Sequence, residues 1–149
     1  MRDLTIKRLG LDEMDDASTI HRTAFDDRMP WLAGLHTPAE DRCYFREHVF
    51  QKCEVWGALD NTRLIGIIAF REGWIDHLYV LRSAQGHGVG TALLDTAKSA
   101  FSPLQLWTFQ RNTQARRFYE TRGFVLIRET DGSRNEEKEP DALYRWSRP

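Results

Sequence analysis

Hydrophobic and polar residues alternate along several short segments of this chain, and such alternation predicts half-buried β-strands. Seven segments show it or form an apolar run of strand length: 4–9, 54–59, 63–70, 74–80, 104–109, 124–129 and 142–146. The turn residues Asp60, Asn61 and Thr62 separate the second segment from the third, so these two are expected to form a hairpin.

Apolar residues at helical spacing predict four helices, over 12–27, 37–50, 91–101 and 112–123. Thr37, Pro38 and Glu40 give the second helix a capping box with proline at its first position. Asn112 is a natural cap for the fourth helix, and Gly123 favours the left-handed backbone that ends one. The order β-α-α-β-β-β-α-β-α-β-β predicts an α/β protein.

Length and charge exclude several classes of protein. A chain of 149 residues suits one domain, which we expect to cover 1–149. The 21 basic and 22 acidic residues leave a net charge of −1, which argues against a nucleic-acid partner. No apolar run reaches the length of a membrane span, and the first seven residues do not resemble a signal peptide.

The two cysteines predict a reduced, cytoplasmic protein. Cys43 falls in a predicted helix and Cys53 in the strand expected after it, without the spacing of a redox pair. Cys43, His48 and Cys53 are evenly spaced, but steps of five residues rotate around a helix and would not face one ion. We therefore expect no metal site.

A glycine-rich run, Gln85-Gly86-His87-Gly88-Val89-Gly90, joins a predicted strand to a predicted helix. Such a turn can hold a phosphate, because backbone N–H groups and the positive end of the helix dipole point outward there. The run lacks the lysine of a P-loop, and a dinucleotide-binding turn would need glycine or alanine where Thr91 or Leu93 stands. Instead, Gln85, Gly88 and Gly90 fit the pattern Gln/Arg-x-x-Gly-x-Gly/Ala.

That pattern resembles the acetyl-CoA pyrophosphate loop of the GNAT superfamily of N-acetyltransferases. A second run, from Asn112 to Phe124, resembles the family's Asn-x-x-Ala-x-x-Phe-Tyr-x-x-x-Gly-Phe segment at every named position. A helix and a strand separate the two runs, as in the family. The resemblance implies the GNAT fold, in which helices flank a twisted mixed sheet.

The resemblance also implies acetyl-CoA as co-substrate and a set of residues that bind it. The backbone of Leu78, Tyr79 and Val80 would hold the pantetheine arm and polarise the thioester. The pyrophosphate would lie on the glycine run and the first turn of its helix, and further contacts would come from the second run. These residues are Gln85, Gly86, His87, Gly88, Val89, Gly90 and Thr91, followed by Asn112, Arg116 and Tyr119. His87 replaces the commoner Arg or Lys.

The resemblance makes Tyr119 the general acid that protonates the departing CoA sulfur. Some family members carry a glutamate base early in the strand before the glycine run, and Trp74 occupies that place here. Asp76 is the catalytic candidate nearby. His77, beside it, could serve as a base directly or through water, and we place it among the substrate-binding candidates.

For the acceptor, we expect a primary amine of a small molecule, bound near Arg28, Trp31 and His77. Two alternatives stay open: acetylation of a protein lysine or amino terminus, and a non-catalytic sensor of acyl-CoA. Strand edges near the carboxyl terminus make a homodimer an expectation as well.

Overall fold

The computed structural model of the protein describes residues 3–149. Met1 and Arg2, part of the amino-terminal segment interpreted above, lie outside the described residues. The described strands are β1 (Leu4–Arg8), β2 (Glu54–Asp60), β3 (Arg63–Arg71), β4 (Trp74–Val80), β5 (Leu104–Phe109), β6 (Val125–Thr130) and β7 (Asp141–Trp146). The described α-helices are α1 (Met14–Arg28), α2 (Pro38–Tyr44), α3 (Phe50–Lys52), α4 (Val89–Ala100) and α5 (Thr113–Glu120).

The strands hydrogen-bond in the order β1-β2-β3-β4-β5-β7-β6, which makes a seven-stranded mixed sheet. Trp74 at the start of β4 pairs in parallel with Gln105 of β5, whereas β1–β2, β2–β3, β5–β7 and β6–β7 are antiparallel. This arrangement confirms the predicted α/β class and the predicted order of elements.

Two details of the prediction are wrong. Cys53 lies in a bend just before β2, not in the strand. The predicted second helix is interrupted: a π-helical segment, Phe45–Val49, connects α2 to α3. Phe45 and Val49 are buried at the two ends of that segment. Residues four apart share one face of an ordinary α-helix as well, so the apolar spacing predicts their burial but not the π-helical turn between them.

The chain divides into two compact units. The first comprises the residues through Arg71 together with Ile75–Ala100, and the second comprises Glu72–Trp74 and Phe101–Pro149. The expectation that 1–149 form one domain stays a prediction.

The core of the first unit lies around β3, whose residues from Ile65 to Phe70 are all buried. Ile67 and Ala69 pack in one cluster with Met14 and Ala17 of α1. A Cβ added at Gly66, on the opposite face, would lie 3.2 Å from side-chain atoms of Leu93 and Val89 in α4. Helices therefore cover β3 on both faces, which explains its continuous apolar sequence.

The core of the second unit is aromatic. The ring of Tyr119 on α5 lies 5.4 Å from that of Phe124, which lies 6.4 Å from Trp146 on β7. Tyr144 of β7 is fully buried; its hydroxyl accepts a hydrogen bond from Arg116 and donates one to Glu120. These bonds fix α5 against the strand beneath it.

Hydrogen bonds within the loop hold the connection between β6 and β7 in one conformation. Asn135 Nδ2 donates to the backbone oxygen of Glu139 over 2.7 Å, and Thr130 hydrogen-bonds to Asp141 across the base of the loop. Gly132 has φ +79°, and a Cβ there would overlap the backbone carbonyl of Glu139. The loop therefore requires glycine at this position for two reasons, backbone conformation and space.

We expect Gly132→Ala to lower the free energy of unfolding by more than about 2 kcal/mol, because left-handed strain adds to the overlap. Gly34→Ala is the matched control: Gly34 has φ +89° with no atom within 4 Å of an added Cβ, so about 1 kcal/mol is expected. Urea unfolding of both variants measures the difference. Equal losses would show that the overlap is relieved at no cost.

Candidate functional site

The glycine run forms an open turn at the start of α4. Gly86 and Gly88 have φ of +81° and +80°, and a Cβ added to either would have no atom within 4 Å. The backbone N–H of Ala92 already donates to the oxygen of Gly88, so α4 is wound from its first turn. The amides of Val89, Gly90 and Thr91 belong to that turn, where the helix dipole favours a negative charge.

Two side chains shape this turn from within. The side-chain amide of Gln85 donates to the backbone oxygen of Val80 over 3.0 Å and ties the turn to the end of β4. His87 is exposed, and its Nδ1 lies 3.0 Å from the backbone oxygen of Gln85. The structure thus places the predicted residues 85–91 together, next to the end of β4 that carries Leu78, Tyr79 and Val80.

Asp76 and His77 are neighbours on β4, but their side chains have different surroundings. Asp76 accepts hydrogen bonds from Arg71 at 2.8 and 3.2 Å, and the thiol of Cys53 lies 3.4 Å from its carboxylate. Burial, helped by Asp76, raises the pKa of Cys53 to about 12, so this thiol stays protonated. The base role of Asp76 stays a prediction, and its pairing with Arg71 argues against it.

His77 packs against side chains from the helical layer of the first unit. Its ring centroid lies 5.2 Å from that of His21 on α1 and 5.6 Å from that of Phe45. His21 is 8% exposed and its ring lies 4.7 Å from Tyr79. Nε2 of His77 lies 3.2 Å from the hydroxyl oxygen of Tyr44, within hydrogen-bonding distance.

Both imidazoles are neutral at pH 7. Burial lowers the pKa of His77 to about 4, an effect that the charge of Asp76 partly opposes. Burial, and then the nearby His77 and Arg22, lower the pKa of His21 well below its ordinary value. Two neutral imidazoles in an aromatic setting can accept hydrogen bonds from a ligand without adding positive charge.

The other predicted acceptor residues lie after α1. Arg28 is the last residue of that helix; burial, and then Arg82, lower the pKa of its guanidinium. Trp31 lies in the short turn Pro30–Leu32 and is 44% exposed. Arg28 and Trp31 thus lie close together in the chain, where α1 leads into α2, whereas His77 lies on β4.

The second unit carries the remaining predicted residues. Asn112 caps α5, since its Oδ1 accepts a hydrogen bond from the backbone N–H of Ala115 over 3.2 Å. Tyr119 is buried, and burial raises the pKa of its phenol, which therefore keeps its proton at neutral pH. The Arg116 guanidinium contacts Tyr144 at 2.9 Å and Glu129 at 3.2 Å, so these residues position it.

Two side chains beside His77, those of His21 and Tyr44, were not predicted from the sequence. His21 follows Met14 by seven residues and Ala17 by four, so helical spacing alone places it on the buried face of α1. Tyr44 offered no comparable signal, because it is an exposed residue at the end of α2.

Comparison with known proteins identifies the family. A family model described as "Acetyltransferase (GNAT) family" matches residues 18–124, well over half of the chain. The chain therefore belongs to this family, which confirms the resemblance. The matched range contains the whole glycine run and ends at the last residue of the second run.

Peptidyl-lysine N-acetyltransferase YiaC of Escherichia coli (strain K12) is 25% identical over 83 residues, 55% of this chain and 57% of YiaC. The match thus spans little more than half of this curated relative.

Solved structures share the fold. Apo-form YjaB from Escherichia coli superposes with a TM-score of 0.79 at 20% identity, and the match covers 97% of each chain. The PaiA N-acetyltransferase of Thermoplasma acidophilum, solved in complex with coenzyme A, gives 0.76 at 17% identity and covers 98% of this chain and 99% of its own.

Within residues 3–149, no helix has both the length and the apolar character needed to cross a membrane. In that same range, no group of three His, Cys, Asp or Glu side chains is placed to hold a metal ion.

The lowered pKa of His77 makes stability depend on pH. Because the unfolded chain binds a proton near pH 6.5 and the folded chain only near pH 4, stability is complete above pH 6.5 and falls as the pH drops toward 4. The wild type should therefore lose unfolding free energy between pH 7.5 and pH 5. We expect this loss to be about 1–2 kcal/mol smaller in His77→Gln. Urea unfolding at both pH values measures it. The exposed His48→Gln should leave the loss unchanged, and identical losses in all three proteins would contradict a buried neutral His77.

Proposed function

We propose that the protein is an N-acetyltransferase that moves the acetyl group of acetyl-CoA to a primary amine of a small molecule. Transfer is direct, in a complex that holds both substrates. The observation that carries the proposal is the open turn at the start of α4, with left-handed backbone at Gly86 and Gly88. Family membership supports it, as does the coenzyme A complex of the structurally similar PaiA enzyme.

Acetyl-CoA binds mainly to backbone groups in this proposal. Its pyrophosphate lies on the amides of residues 86–91. The positive end of the helix dipole there compensates for the Arg or Lys that the exposed His87 replaces. The pantetheine arm follows the backbone of Leu78, Tyr79 and Val80 as a short added strand would. Asn112 contacts the pantetheine while it caps α5, and Arg116 contributes from the next turn.

The chemistry then needs only a few groups. The amine nitrogen attacks the thioester carbon, a C–N bond forms, and the C–S bond breaks as the sulfur leaves with the electron pair. The N–H proton that the amine loses passes to solvent water, and solvent returns a proton to Tyr119 after the transfer. A backbone N–H between Leu78 and Tyr79 stabilises the oxyanion. Tyr119 donates its phenolic proton to the leaving sulfur, and its raised pKa keeps that proton available at neutral pH.

A protein lysine is the second candidate acceptor. The matched relative YiaC is named a peptidyl-lysine N-acetyltransferase, and this similarity favours a lysine side chain over an amino terminus. Release of CoA thiol, measured with small amines and with lysine peptides, separates the two candidates. Turnover only on peptides would reject the small-molecule proposal, and binding without turnover on either set would favour the sensor.

A homodimer in the cytoplasm, without nucleic-acid partners, completes the proposal. Val125, Leu126 and Ile127 are exposed on β6, one of the two edge strands, and apolar residues at a strand edge favour pairing with a second copy.

Gly88→Trp tests the phosphate turn. We expect it to weaken acetyl-CoA binding by about 100-fold or more, because the indole would cover the amides. Gly34→Trp is the control, since Gly34 has a similar φ and equally open surroundings outside the turn. Calorimetry gives both affinities. Equal affinities in the two variants would refute the placement of the pyrophosphate.

Tyr119→Phe tests the general acid. We expect kcat to fall by about 100-fold, because the sulfur loses its proton donor, while the Kd of acetyl-CoA changes little. Thiol release and calorimetry on the same sample measure both quantities. An unchanged kcat would remove Tyr119 from the chemical step.

A further inference from the structure

Two arginines of the first unit lie close together where β4 ends. Arg28 is the last residue of α1, and Arg82 begins the short helical turn Arg82–Ala84 that leads from β4 to the glycine run. The ring of Phe25, three residues before Arg28, lies 6.5 Å from that of Tyr79, three residues before Arg82. The charge of Arg82 acts on the Arg28 guanidinium, as expected for two side chains at this junction.

Hydrogen bonds fix the backbone next to each arginine. Met29, which follows the first arginine, is buried, and its N–H donates to the oxygen of Phe25 over 2.8 Å. Leu81, which precedes the second, donates its N–H to the oxygen of Ile65 on β3 over 2.9 Å. Ala84 is buried and donates to the oxygen of Leu81 over 2.9 Å. The fold therefore sets where both arginines leave the backbone, and only their side chains can adjust.

The juxtaposition of two positive charges is unfavourable. Burial and the charge of Arg82 both lower the pKa of Arg28, so both disfavour its charged form. Of the two acidic residues that precede Arg28, Asp26 accepts a hydrogen bond from Arg22. Asp27 is the immediate neighbour of Arg28, and adjacent side chains on a helix do not face each other. An anion between the two guanidiniums would relieve their repulsion.

Arg28 belongs to the helical layer opposite α4. The helix that it ends, α1, packs on the face of β3 that carries Ile67 and Ala69, whereas α4 packs on the face of Gly66. The glycine run begins α4, so the proposed pyrophosphate site belongs to the other layer. An anion held by both arginines would therefore belong to the acceptor and not to the coenzyme.

The spacing along the chain suits a small acceptor. Arg82 follows Tyr79 by three residues, which span at most about 10 Å of extended chain. In the proposed complex the thioester lies beside Leu78 and Tyr79, and a long arginine side chain can cover part of that distance. An amine and an anion separated by a few methylene groups would thus reach the thioester and the arginines together.

We propose that Arg28 and Arg82 bind a carboxylate of the acceptor, so that the substrate is a small amino acid acetylated on its amine. This inference rests on the proposed function and names its substrate class. Each guanidinium presents a planar fork of N–H donors that matches a carboxylate. The carboxylate takes no part in the acyl transfer, so the two arginines select the substrate and orient its amine towards the thioester.

The test uses the full chain with acetyl-CoA and pairs of acceptors that differ in one charge, and it follows thiol release. The acids are β-alanine, γ-aminobutyrate and δ-aminovalerate, and each is compared with its own uncharged amide. We expect kcat/KM for at least one acid to exceed that for its amide by about 10–100-fold, mainly through a lower KM.

Four variants assign this preference to the two arginines. Arg28→Gln and Arg82→Gln should each lower the ratio of acid to amide by about tenfold, with little change in the Kd of acetyl-CoA. Arg28→Lys, which keeps the charge without the planar fork, should retain part of the ratio. Arg63→Gln is the control, because Arg63 is an exposed arginine at the start of β3, and it should leave the ratio unchanged.

Reversal of one charge gives a readout that a structural role would not change. We expect Arg82→Glu to make the amide the better substrate, because the new carboxylate repels the acid and pairs with Arg28. Damage to the fold alone would lower both rates together. An unchanged preference for the acid in this variant would overturn the proposal.

The remaining outcomes separate the two proposals. If the wild type binds acetyl-CoA and acetylates each acid and its amide equally well, the carboxylate site is wrong and the proposed function stands. A raised Kd for acetyl-CoA in Arg28→Gln and Arg82→Gln, with the acid preference intact, would assign the pair to a phosphate of the coenzyme instead. Binding of acetyl-CoA without turnover on any pair would also overturn the carboxylate site. A wild type that does not bind acetyl-CoA would overturn the proposed function, and the carboxylate site with it.

Discussion

The close approach of α4 to β3 is the constraint on which the first unit depends, and Gly66 permits it. A Cβ at this position would lie 3.2 Å from three atoms: a methyl of Leu93, a methyl of Val89, and the backbone oxygen of Tyr79. Leu93 lies in the body of α4, Val89 is the first residue of that helix, and Tyr79 lies in β4. The absence of a side chain at Gly66 thus lets the first turn of α4 lie beside the end of β4. The glycine run and the backbone of β4, which are proposed to hold the pyrophosphate and the pantetheine arm, owe their relative position to this packing.

Much of the architecture followed from local patterns because local chemistry decides it. The expected bounds of β4 and β5 agree with the structure, since turn residues flank both segments. The capping box of α2 forms as expected: Thr37 accepts from the backbone of Glu40, whose carboxylate accepts from the backbone of Thr37. These features depend on residues close to one another in the chain, so the sequence alone is enough to predict them.

The parts that were missed depend on contacts between distant residues. The π-helical segment Phe45–Val49 could not be predicted, because its two buried residues are spaced as they would be in an ordinary α-helix. Asp76 and His77 looked equally eligible in the sequence. The structure separates them, because neighbours on a strand face opposite sides of a sheet and only one side here carries His21 and Phe45.

The central claim is that the turn from Gln85 to Gly90 holds the pyrophosphate of acetyl-CoA. The most direct measurement is a calorimetric titration of acetyl-CoA into the wild-type protein, repeated with pantetheine, which carries no phosphate. We expect saturable binding of one acetyl-CoA per chain and much weaker binding of pantetheine, since pantetheine lacks the pyrophosphate that the turn would hold. Absence of saturable binding, or equal affinity for both compounds, would contradict it.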